Sequence, residues 1–166
     1  KNADNCTLLV FIATNYEMNA AQKFRGIPAE ERLNQQMAKT AALPYAKLLK
    51  NHLSDYQSLY QRQELNIAHT ADSLDTLPTA RRLEAYRKSH TDNGLEELVF
   101  RFGRYLMIQT SRPGSLPAGL QGIWNGMVAA PWGNDYHSNI NFQMVYWLPE
   151  VGNLSECHLP MLDYLK

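Results

Sequence analysis

The sequence predicts a mainly α-helical chain entered from a β region, on three observations. Apolar residues recur at helical spacing through two long stretches, 45–60 and 95–109. A continuous apolar run, LLVFIA at 8–13, reads as a buried strand. Clusters of proline and glycine then punctuate the chain at 111–117 and 119–136.

Taken in order, residues 6–16 (CTLLVFIATNY) predict a strand buried on both faces. One strand cannot pair its own backbone groups, so its neighbours should lie elsewhere. Segment 64–68 is the only other strand candidate. Residues 17–27 are polar and loop-like. Pro28 stands where a helix can start, with Glu30 and Glu31 in the first turn of a helix over 29–42. After Pro44, Tyr45, Leu48, Leu49, Leu53, Tyr56, Leu59 and Tyr60 mark one face of a helix ending near Gln63. Residues 68–91 form a polar connector. Asn93 and Glu96 then have capping-box spacing, and Leu95, Leu98, Val99, Phe102, Tyr105, Leu106 and Gln109 mark a core-facing stripe. SRPGSLP at 111–117 ends that helix, and an irregular loop occupies 119–136. Ile140, Met144, Trp147 and Leu148 line one side of a further helical pattern, which Pro149 interrupts. Apolar periodicity resumes over 154–165.

Composition narrows the function. The 166 residues, 45% of them apolar, suffice for one domain with a real core. Sixteen basic and sixteen acidic residues cancel, with no basic stripe suited to nucleic acid. No apolar run approaches the roughly 18 residues of a membrane span. Cys6 and Cys157 belong to no CxxC or Cys/His ligand pattern and read as two buried thiols, so neither a metal nor a cofactor is expected. Nucleophile-elbow, HExxH, phosphate-loop and dinucleotide motifs are missing. His52, His69 and His90 read as surface or interhelical contacts.

Loops held between helices are where binding groups concentrate. Trp124 and Trp132, in the 119–136 loop, suit a sugar because an aromatic face packs on the apolar face of a pyranose. From composition alone, plugging the end of a helical core is the favoured explanation of both. In HSNIN (137–141), His137, Asn139 and Asn141 alternate with Ser138 and Ile140. An extended stretch would put these three polar side chains on one face, with Ile140 and Phe142 anchoring the other. The alternative is a helix N-terminus capped by Ser138 or Asn139. Glycoside hydrolysis normally needs two carboxyl groups, about 6.5–9.5 Å apart for inversion or about 5–5.5 Å for retention. Asp135, Glu150 and Glu156 are near in sequence but form no evident pair. Asparagine cannot accept a proton as a general base, so this asparagine pair needs a carboxylate from elsewhere.

Several blocks together resemble a known family. They are Leu77-Pro78-Thr79 with Arg82-Leu83, then FGRYLMIQTSRPGSLPAGLQGIWN (102–125), then PWGNDYHSNINFQMVYWLPEVGNLSE (131–156). The chain resembles glycoside hydrolase family 95, the inverting α-L-fucosidases. The resemblance extends upstream through His52, Asp55, Tyr56, Leu59 and Tyr60, and to residues 8–16.

The resemblance implies a partial (α/α)6 barrel, with 1–16 as the end of an N-terminal β-sandwich region. It makes 17–43 a linker and 44–166 the first part of the catalytic barrel, to be completed by the remainder of that barrel. Asn139 and Asn141 would hold the attacking water. His137 would contact the sugar, with Trp124 and Asn125 on the substrate side. The aspartate base and glutamate acid of the family have no counterpart here, since their positions fall after Lys166, so the isolated chain should be inactive. The implied partner is an oligosaccharide or glycan, and periplasmic or secreted residence is the family's expectation. Gly119 and Val145 stand where asparagine is common, and Leu148-Pro149 replaces Pro-Ala; HSNIN is intact. Some relatives act on α-L-galactosides, and a histidine at 137 is the fucose-type residue.

Overall fold

The computed structural model describes residues 4, 6–68 and 73–166. Two compact units, Lys1–Tyr56 and Gln57–Lys166, divide inside a helix. The described residues are mainly helical and contain no strand, only isolated β-bridges. His69 lies outside the described residues.

In the first unit, residues 6–15 carry no regular secondary structure. Leu8, Val10 and Ile12 are 83%, 70% and 81% exposed, so the expected strand buried on both faces is not formed. The reason is the absence, among the described residues, of a second strand to accept its backbone groups. Among the described residues of this unit, a bridge joins Tyr16 to Arg25. It closes a loop in which the Gly26 N–H donates to the Asn15 carbonyl at 2.8 Å and Tyr16 stacks on Phe24. Helix α1, Ala29–Thr40, starts after Pro28 with Glu30 and Glu31 in its first turn and Lys39 in its last. Those charges complement the helix dipole.

Helix α2, Tyr45–Tyr60, contains the division between units, and Leu59 is its buried residue. The second unit continues with α3 (Thr79–Ser89), α4 (Asn93–Thr110), α5 (Asn141–Val145), α6 (Leu148–Val151) and α7 (Leu159–Tyr164). Helix α4 is the centre, packing against α3 and α6, and a 3-10 turn at Ser155–His158 leads from α6 into α7.

The sequence misread α4 in two respects. Its cap is Asp92, not Asn93: Asp92 Oδ1 accepts the Leu95 N–H at 2.9 Å. Asn93 instead donates from its side chain to the Ile67 carbonyl at 2.7 Å. The buried face is also different. Leu95 is buried as expected, but Leu98, Val99, Phe102 and Tyr105 are 40–61% exposed. The face turned inward carries Leu95, Glu97, Arg104, Met107, Ile108 and Thr110. The charged members bond mainly to backbone groups at the end of α2 and just beyond it. Glu97 accepts the Ile67 N–H at 2.9 Å. Arg104, 1% exposed, donates to the carbonyls of Leu59, Tyr60, Gln63 and Gly152 at 2.7–3.1 Å. These include the last carbonyls of α2, which a helix cannot satisfy internally. Glu97 and Asn93 together take both backbone groups of Ile67, so 64–68 is an irregular segment rather than a strand.

The region read as a polar connector contains α3. Its buried residue is Arg82, paired with Asp92 at 2.5–2.9 Å and with Asp75 at 3.2 Å. A helix anchored by a charge leaves no apolar stripe to read. Of the cysteines, Cys157 is buried but Cys6 is exposed; both are free.

Candidate active site

The HSNIN segment rests on an aromatic foundation. Phe142, 1% exposed, packs among Tyr136, Tyr146 and Tyr164 with ring centroids 5.2–5.5 Å away. Tyr136 also meets Tyr164 at 4.9 Å, and Tyr146 stacks on His158 at 5.8 Å. Edge-on and offset contacts of this kind hold rings in fixed directions.

A buried relay ties this foundation to the preceding loop. The Ala118 N–H donates to the Tyr146 hydroxyl at 2.8 Å, and Ser111 Oγ donates to the Cys157 carbonyl at 2.7 Å. Ser111 has one proton and spends it on Cys157, so at 2.8 Å the Tyr146 hydroxyl donates to Ser111 Oγ. Burial pushes the Tyr146 hydroxyl above its ordinary pKa, against the opposing effect of the Ala118 N–H that it accepts. Burial likewise raises the Cys157 thiol. Ser111, Ala118 and Tyr146 come from two of the sequence blocks that carry the resemblance, which the relay joins.

Above the foundation the chain turns. His137 has φ +45°, residues 138–140 form a turn, and the Phe142 N–H donates to the His137 carbonyl at 3.2 Å. The alternating extended face is therefore not formed. Phe142 is anchored in the core, but Ile140 is 49% exposed, along with Met144 and Trp147. Nor is α5 capped by a side chain: its N-cap position is Ile140, and neither Ser138 nor Asn139 bonds to its first N–H groups. A turn exposes its polar side chains more fully than a flat strand does. Asn139 and Asn141 are both exposed, with no side-chain hydrogen bond among the described residues.

Asp135, Tyr136, His137, Ser138, Asn139 and Tyr164 line an open depression of about 510 Å³. Asn141 is outside its lining. Asp135 Oδ1 accepts the His137 backbone N–H at 3.0 Å and meets the ring Nδ1 of the same histidine. Tyr164 was not recognised in the sequence, where it sits in an ordinary apolar pattern and only tertiary contact brings it to the depression.

The tryptophan loop has its own order. Trp124 is 48% exposed and its ring covers Gly122. Asn125 donates to the Met127 carbonyl at 2.8 Å and accepts the Met127 N–H at 3.1 Å, which closes a local turn. Trp132, 71% exposed, does not plug a core. Gly119, bridged to Gly122, lies against the backbone of Asn134. That contact brings the start of the tryptophan loop beside the strand of chain entering HSNIN.

The nearby carboxylates are committed. Glu150 accepts from His158 Nδ1 at 2.8 Å. Glu156 is paired with Arg62 at 2.7 and 2.9 Å, and that hydrogen-bonded guanidinium holds its pKa below the ordinary value. Asp163 is joined to Lys166. Among the described residues there is no cluster of histidine, cysteine, aspartate and glutamate suited to a metal, and no helix long and apolar enough to cross a membrane.

Known proteins share this organisation of sequence. The family model described as the glycosyl hydrolase family 95 catalytic domain matches residues 44–166. Alpha-L-fucosidase 2 of Arabidopsis thaliana is 37% identical over 100% of this chain and 20% of its own length. A probable alpha-fucosidase A of Aspergillus niger is 37% identical over 95% of the chain and 20% of its own. The protein of the same name in Aspergillus oryzae is 30% identical over 100% and 24%. The chain thus spans about a fifth of the length of these curated relatives. On the match over 44–166, this chain belongs to glycosyl hydrolase family 95.

Proposed function

We propose that the protein containing this chain is an inverting, exo-acting α-L-fucosidase, and that Asn139 and Asn141 position the attacking water. The observation that carries the reading is the family match across the stretch that holds HSNIN, with relatives named as fucosidases. The geometry supports it. Two exposed carboxamides, one on the 138–140 turn and one at the start of α5, have no side-chain hydrogen bond among the described residues, and each offers both donors and an acceptor to a water. His137, at the depression, contacts the sugar. Trp124 offers an aromatic face, and Asn125 keeps one hydrogen and one lone pair beyond those used on Met127.

The rest of the molecule fits the same reading. Residues 17–43 act as a linker and 44–166 as the first part of an (α/α)6 barrel. The exposed stripe of Leu98, Val99 and Phe102 beside Leu83 is then a seam for further helices of that barrel. Inversion needs a carboxylate base and a carboxylic acid. Glu150, Glu156 and Asp163 are paired elsewhere, which supports the reading that the chain needs carboxylates from the remainder of its barrel to turn over substrate.

Hydrolysis of 2'-fucosyllactose by the full-length protein, followed by NMR of the first sugar released, tests the reading. Inversion gives β-fucose first; α-fucose first rules it out. Faster cleavage of a matched α-L-galactoside would overturn the fucose assignment. Asn139→Gly and Asn141→Gly should each lower the rate at least about a hundredfold with the fold unchanged. Wild-type rates in these variants would remove the asparagines from the mechanism.

A further inference from the structure

We propose that Asp135 is a positioning residue: it fixes the tautomer and direction of the His137 ring, so that Nε2 presents a lone pair to the depression. The inference rests on the reading of His137 as a sugar contact. One carboxylate oxygen, Asp135 Oδ1, meets both the backbone N–H and the ring Nδ1 of His137. A carboxylate only accepts, so the neutral ring bonded to it must carry its proton on Nδ1. Nε2 is then an acceptor, suited to a sugar hydroxyl. An unrestrained imidazole carries its proton on either nitrogen, and packing alone does not choose between the two tautomers of a ring one-third exposed. Fixing the far nitrogen of a binding histidine through a carboxylate is an established way to set its tautomer and orientation.

A purely structural role for the pair is a poor rival on energetic grounds. The Asp135 side chain is 61% exposed, and exposed pairs contribute little to stability. Other carboxylates near the foundation are bound to other groups: Glu150 to His158, Asp163 to Lys166. None replaces Asp135 at Nδ1.

The test combines a spectroscopic and a kinetic reading on the full-length protein. Nitrogen-15 NMR of the neutral His137 ring should show one tautomer with the proton on Nδ1. In Asp135→Ala it should become a mixture of the two. KM for a fucoside should rise about tenfold with kcat nearly unchanged, because a binding group has been loosened. Asp135→Glu should restore part of both signals, which recovery of general stability alone would not do. The same tautomer in Asp135→Ala as in the wild type overturns the proposal, as does an unchanged KM alongside normal fucoside hydrolysis. If no fucoside is cleaved by the wild type but the tautomer shifts, the positioning role stands and the fucosidase reading fails.

Discussion

Replacing Arg104 with methionine would keep an unbranched apolar stem and remove all five donors of the guanidinium. The carbonyls of Tyr60, Gln63 and Gly152 would then lose the guanidinium, as would that of Leu59, which keeps only the Arg62 N–H at 3.3 Å; a buried acceptor left unsatisfied costs about 1–3 kcal/mol before relaxation. A loss of at least about 3 kcal/mol in urea unfolding is expected. Lysine in its place should recover little, since an ammonium cannot span the same acceptors. Gly122 gives a second case. With φ +62° and an added Cβ only 2.9 Å from Thr110 Cγ2 and from the Trp124 ring, Gly122→Ala should displace Trp124. Tryptophan fluorescence should shift, with a cost of about 1–2 kcal/mol from the backbone alone. Neither residue could be singled out beforehand. Arginine in FGRYLM reads as a polar break in an apolar helix, and its acceptors are set by tertiary placement.

Helix α4 shows what patterning can and cannot report about an element. Its extent and its end at Ser111 were legible, because apolar spacing and the proline–glycine cluster are local signals. Its inward face was not. Apolar periodicity marks an apolar stripe, whereas the burial of Glu97 and Arg104 follows from unsatisfied backbone in 59–68. Helix α3 was missed for the same reason, since its anchor is the Arg82–Asp92 pair. Asp92 serves both helices, capping one and neutralising the other. Asp92→Ala should therefore cost about 3 kcal/mol, combining a lost cap with the loss of the bidentate carboxylate on buried Arg82, which keeps Asp75 at 3.2 Å. Asp92→Asn keeps a capping oxygen and should lose about 1 kcal/mol less, a difference measurable by thermal unfolding. The HSNIN turn divides likewise. Phe142 was readable as core, but a histidine at positive φ is not visible in a sequence.

For the molecule as a whole, alkaline stability follows from two buried acids. Cys157 and Tyr146 both have raised pKa values in the folded protein, against reference values of 9.0 and 10.0. The unfolded chain releases these protons first, so stability is full below about pH 9 and falls as pH rises through the folded values. Denaturation midpoints between about pH 7 and pH 11 should show the decline, and Cys157→Ala should delay its onset toward the tyrosine range. The family, the helical class and the fucosidase resemblance were legible in long motifs, and the absence of any strand among residues 6–16 was not. A strand signal reports a preference that needs a partner. One further consequence lies in the order of synthesis. The acceptors of Arg104 lie 41–48 residues from it along the chain. The last turn of α2 therefore leaves the ribosome well before the side chain that completes it, and Gly152 well after. That turn should fray on the nascent chain until residue 104 emerges, and protease cutting near 60–63 on stalled chains of increasing length should fall once it does.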